Sequence, residues 1–241
     1  MNPSVLKTSG PLVATLATLL FAPALSGGAT VIGSVPYTIT TPGQYVLQNN
    51  LTANGTDGIT VRAAMVAINL NGFTLTNTQA IENSNNSGIR IERSNVTVQN
   101  GTIVGFRWGV LTIDSSQAVI QNLQLINNFI GVSIYRGGRG HLVQDCYIVG
   151  KGKTSTDAAE GINIDSDASG VQVKNNHISD LYYAGIHCDS QQGSAIIHNY
   201  IANTNYGLLL GNSVYYQGNV VTNCTTPFQG GHAVGGENGG D

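Results

Sequence analysis

The sequence predicts an all-β protein: a single solenoid of about eight coils, each giving one short strand to each of three parallel sheets. Three observations carry that expectation. A start of the form Gly-apolar-x-apolar recurs at Gly58, Gly88, Gly109, Gly131, Gly161, Gly185 and Gly207, at intervals of 30, 21, 22, 30, 24 and 22 residues. Each start is followed by a second and a third short apolar alternation, a spacing that is neither a helical period nor a hairpin period. Finally, charged residues make up only 10% of the chain, against about 25% in an average soluble protein. Their place is taken by Asn, Ser, Thr, Gln and 31 glycines, with Val, Ile, Thr and Tyr as strand formers.

Taken in order, the chain opens with Lys7 and the uncharged apolar run "LVATLATLLFAPAL", Leu12 to Leu25, followed by the small residues "SGGA". That run is shorter than the roughly 20 residues of a spanning helix and fits the core of a secretory signal peptide over residues 1–29, cleaved after Ser26 or Ala29. No other stretch is long and apolar enough to span a membrane, so a secreted or periplasmic, monomeric protein is expected. Residues 30–57, including "YTITTPGQYVLQNNLTANGTD", read as an entry coil or cap. Residues 58–224 carry the repeats. The glycine-rich stretch 225–241 lacks apolar periodicity and reads as a disordered tail or an incomplete cap.

Within the repeats, first strands too short to bury a face alone must lean on the coils above and below. Their inward residues are expected to be Ile89 and Ile91, Leu111 and Ile113, Val132 and Ile134, Ile162 and Ile164, Ile186 and Cys188, Leu208 and Leu210. The second strand closes on Asn71, Asn100, Asn122, Asp145 and Asn175, residue types suited to a left-handed turn. Two coils are longer by about eight residues, at 76–87 and 149–160, and such insertions commonly wall a binding face. Cys146, Cys188 and Cys224 are odd in number and lack metal-ligand spacing. A net charge of −3 offers no basic field for nucleic acid.

On these units the chain resembles the right-handed parallel β-helix superfamily, the pectate-lyase-like proteins, from about Gly58 to Asn223. The resemblance implies a right-handed coil and a polysaccharide as partner. It does not name the chemistry, because that scaffold hosts lyases, hydrolases, epimerases, adhesins and non-catalytic proteins. The Asn-Thr-Asp, Asp-Asp, Gly-His-Gly and Arg-Ile-Lys sets of polygalacturonase-like hydrolases are absent, and "GIHCDS" is a distant echo of the histidine motif.

Aligning the first strands gives an outward column Arg90, Thr112, Ser133, Asn163, His187, Leu209, and beside it Glu92, Asp114, Tyr135, Asp165, Asp189, Gly211. Asp165 and Asp189 then fall one coil apart, a pair that could share a proton or hold a cation such as Ca2+. With His187 they are the candidate acid–base residues, and Asn163 and Tyr135 lie alongside. Arg136, Arg139, Lys151 and Lys153 could neutralise a sugar carboxylate. Phe106, Trp108, Phe129, Tyr182, Tyr183 and Tyr206 cluster where coils enter the first strand. Of these, Trp108, Tyr183 and Tyr206 are the rings expected to stack on sugars. The competing reading is bland: Asp before Ser, Gly or Ala opens a turn, and aromatics fill corners. On that reading the protein is a non-catalytic surface or structural β-helix.

Overall fold

The computed structural model describes residues 28–79, 85–152, 158–190, 192–235 and 238–240. The expected signal segment therefore lies outside the described residues apart from positions 28 and 29. Among the described residues all regular structure is strand, and every strand pairing is parallel. Among the described residues no helix is long and apolar enough to cross a membrane.

Three sheets wrap one core in about eight turns. The first sheet runs from Tyr37–Ile39 through Ile59–Val61, Ser87–Ile91, Trp108–Ile113, Ile130–Tyr135, Glu160–Ile164 and Ala184–Cys188 to the start of Tyr206–Gln217. The second and third sheets are stacked in the same way, so the same position of every coil forms a column along the axis.

A glycine opens each first strand because nothing larger fits. A Cβ on Gly161 would sit 2.5 Å from the Gly185 carbonyl oxygen and 2.5 Å from Ile178 Cγ2. This column sets the register, and it corrects one expectation. In "GVLTI", Gly109 stays in the glycine column, so Val110 and Thr112 turn inward, not Leu111 and Ile113. Leu111 pairs with Arg90 and Ser133, and Ile113, not Asp114, lies beside Tyr135. Steric exclusion at the glycine outweighs the pull of Leu111 and Ile113 toward the interior; both turn to the outer face, where Leu111 is nonetheless buried. The other expected inward pairs are buried.

The turns after the second strands follow the sequence. Asn71, Asn100, Asn122, Asp145 and Asn175 all adopt positive φ, between 50° and 62°. Inside that corner runs a buried amide column. Asn176, Asn199 and Asn219 accept the backbone N–H groups of Cys146, Asn176 and Asn199, and donate to the carbonyls of Val143, Val173 and Ile196. Each amide thus satisfies groups that a tight corner would leave orphaned in the core. At the far end, the glycine-rich stretch expected as a tail carries strands Thr226–Ala233 and Gly239–Gly240, laid parallel on the preceding coil. Backbone pairing needs no apolar side chain, which is why its composition gives no sign of the strands.

Candidate functional site on the first sheet

The outer face of the first sheet brings together residues from adjacent coils. Glu160 and Asn163 come from Glu160–Ile164, and His187 from Ala184–Cys188, in register with Asn163. Glu160 stands at the head of its strand in a column otherwise held by Ser87, Trp108, Ile130, Ala184 and Tyr206. Its side chain is only 7% exposed, and its Oε1 lies 2.8 Å from His187 Nδ1. On the other side of the ring, His187 Nε2 lies 3.3 Å from Asp189 Oδ2, a carboxylate that is 56% exposed. Asn163 Nδ2 is 3.4 Å from His187 Nδ1.

The electrostatics follow from these contacts. The Glu160 hydrogen bond, reinforced by the charges of Glu160 and Asp189 and opposed by burial, holds His187 above the ordinary histidine value of 6.5. An imidazole clamped in this way keeps one orientation, with Nε2 turned to the exposed Asp189 carboxylate. Tyr183 meets the histidine edge-on, with centroids 6.0 Å apart, and Tyr206 lies 5.4 Å beyond it in a second edge contact. Burial, followed by the negative charges of Glu160 and Asp189, raises the Tyr183 phenol.

The remaining predicted residues divide. Asp165 is engaged by backbone: Oδ1 accepts the Ser166 N–H at 2.7 Å, and Oδ2 accepts the Arg136 N–H at 3.3 Å. Tyr135 is exposed, with the Arg136 guanidinium 5.4 Å from its ring centroid. Arg139 sits on the turn toward the second sheet, its N–H on Ser116 Oγ. Lys151 is exposed on the turn after Tyr147–Val149, while Lys153 lies outside the described residues. Trp108 is half-buried beside Arg107, whose guanidinium is 5.4 Å from its ring and 4.6 Å from that of Phe129. Phe106 is fully buried and fills the corner of the core.

Glu160 escaped the sequence reading. The available signal was a carboxylate in a position where the neighbouring coils carry the apolar Ile130 and the buried Ala184. As for calcium, among the described residues no three side chains of His, Cys, Asp or Glu converge as a metal ion would need. Cys188 points inward, and burial pushes its thiol up to about 12, as suits a small core residue.

Against known proteins, a family model described as right handed beta helix region matches residues 38–226. No protein of curated function matches the chain. Among solved structures, the Dettilon tailspike protein superposes with a TM-score of 0.54 at 14% identity, over 81% of this chain and 42% of its own. The alginate lyase from Paenibacillus sp. str. FPU-7 gives 0.37 at 12% identity, over 84% of this chain and 99% of its own. The enzymatically active domain of bacteriophage CBA120 tailspike protein 2 gives 0.38 at 12%, over 78% and 38%. The chain thus spans less than half the length of either tailspike chain, and the likeness to the Dettilon tailspike speaks to the fold alone.

Proposed function

The chain belongs to the right-handed β-helix family, and from that premise we propose that it binds a polysaccharide along the outer face of its first sheet and cleaves it by acid–base chemistry at His187 and Asp189. The observation that carries the reading is the clamp itself: a buried Glu160 carboxylate on one ring nitrogen and an exposed Asp189 carboxylate on the other. Proton transfer to or from a sugar oxygen needs an oriented donor with a carboxylate at hand, and the clamp supplies both. Glu160 is the positioning residue, and His187 and Asp189 handle the proton. Tyr183 and Tyr206 extend the face with half-exposed rings that suit the apolar side of a pyranose. Arg136 over Tyr135 supplies a cation for a sugar carboxylate. Asp165 anchors the turn that carries Arg136.

A second reading, a non-catalytic carbohydrate-binding or structural β-helix, is favoured by one fact. Both Asp165 oxygens accept backbone N–H groups, so Asp165 and Asp189 do not form a pair of free carboxylates. In either case we place the protein outside the cytoplasm, secreted or periplasmic, as a monomer released after Ser26 or Ala29. N-terminal sequencing of the exported form checks the cleavage.

The function is tested by turnover on a panel of neutral and acidic soluble polysaccharides, followed both as new reducing ends and as absorbance of unsaturated uronate. The expected result is turnover that falls about 10²–10⁴-fold in Asp189→Asn and His187→Gln, while Glu160→Gln moves the pH profile to lower pH. An inactive wild type across the panel, with binding untouched by these variants, sinks the catalytic reading.

A further inference from the structure

The third strands carry an aromatic stack on their solvent side. Tyr147, His177 and Tyr200 are in register in three consecutive coils, with ring centroids 5.0 and 4.7 Å apart and tilts of 30° and 23°. Rings stacked along the axis turn their faces to one another and their edges to water, so the middle ring has no face to offer a ligand. Tyr147, at the end of the stack, differs. His177 covers one face, and the other looks along the axis toward Gln124, its neighbour in the preceding coil.

There the aromatic column stops, because Gln124, Thr102 and Thr74 continue it. A groove of about 360 Å³ opens at that step, bordered by Tyr147, Gln124 and Thr102 and, on the turn side, by Asn100, Asn122 and Asp145. Its far end is open at Gly72, where a Cβ would meet nothing within 4 Å. Crossing four coils at about 4.8 Å each, it runs roughly 14 Å along the axis.

We propose that this groove is a second carbohydrate site, built for a short neutral oligosaccharide and separate from the first-sheet face. The exposed Tyr147 ring at the end of the stack matches the apolar face of a pyranose, and the amides and carboxylate at its side match ring hydroxyls. Its parts are held in advance. Asn122 Nδ2 donates to Asn100 Oδ1 at 2.8 Å, and the stack behind Tyr147 fixes that ring, so little freedom remains to be lost on binding. None of the bordering residues is Lys or Arg, and Asp145 repels a uronate, which selects a neutral sugar. A site on another face does not compete with the first sheet. It keeps a polymer that carries neutral segments tethered and raises the effective concentration of its other segments.

The test titrates the intact protein, followed by NMR, with hexasaccharides of β-1,4-linked glucose, xylose, mannose and N-acetylglucosamine, and with oligogalacturonate and oligoalginate. At least one neutral probe is expected to shift Asn122, Gln124 and Tyr147. Tyr147→Ala should weaken it by about tenfold or more. Gln124→Tyr, which extends the stack into the groove, should do the same with the melting temperature maintained, and His187→Gln should leave the affinity unchanged. The proposal is overturned if no neutral probe moves these residues, if only the acidic probes do, or if both groove variants bind like wild type. The single tryptophan, Trp108 on the first sheet, keeps the faces apart: a probe that changes its emission without moving Tyr147 speaks for the first sheet and against the groove.

Discussion

At the scale of single residues, the pairing of His187 with Glu160 makes a statement about pH. The folded-state value of His187 is raised above 6.5. The stability it contributes is therefore complete below that ordinary value and is lost as pH rises through the raised one. An NMR titration of the imidazole should show His187 titrating above the ordinary histidine value of 6.5, and Glu160→Gln should bring it down. An unchanged midpoint in that variant would remove Glu160 from its assigned role. Thr112 poses the opposite case, a hydroxyl turned into the core with no partner on Oγ1. Replacing it by the isosteric Val should stabilise the protein by about 1–3 kcal/mol in denaturant unfolding. The candidate site was half legible from sequence. His187, Asn163 and Asp189 follow from the strand pattern. Glu160 does not, because its importance comes from being buried against a residue 27 positions away, and a carboxylate before a glycine looks like any turn charge.

At the scale of the strand, glycine is the strictest element of the design. Alanine at Gly161 would drive its methyl into the neighbouring backbone as well as into Ile178. Gly161→Ala is thus expected to cost about 1–3 kcal/mol or more, and because Glu160 is the adjacent residue it should also lower the His187 midpoint. Loss of stability without any movement of that midpoint would show that the strand head and the clamp are independent. The left-handed turns were legible because Asn and Asp are the residue types that tolerate positive φ, and all five expected positions adopt it. The buried amides of Asn176, Asn199 and Asn219 were not. An asparagine after such a turn reads as a surface residue until the corner is seen to fold it inward.

For the whole molecule, the architecture was the most legible level, since a repeat registers the same physical requirement seven times over. Local errors such as the shifted register at Val110 did not disturb it. What the period leaves out is how the last coil is finished, because glycine-rich backbone pairs without leaving a pattern of side chains.

The stacking of coils also has a mechanical meaning. Ladder hydrogen bonds run along the solenoid axis, so tension applied between the chain ends loads the rungs in series instead of shearing them together. The weakest rung fails first, and each failure pays out one coil of slack. At roughly 3.3–3.6 Å per residue, a coil of 22 residues lengthens the tether by roughly 75 Å and one of 30 residues by roughly 100 Å. Optical-trap extension should therefore give a train of small teeth with two longer ones, from the intervals Gly58 to Gly88 and Gly131 to Gly161. A single all-or-none rip would mean that the coils share load across the core. In the stepwise case the protein acts as an extensible spring, yielding one coil at a time under load while the remaining coils keep their grip.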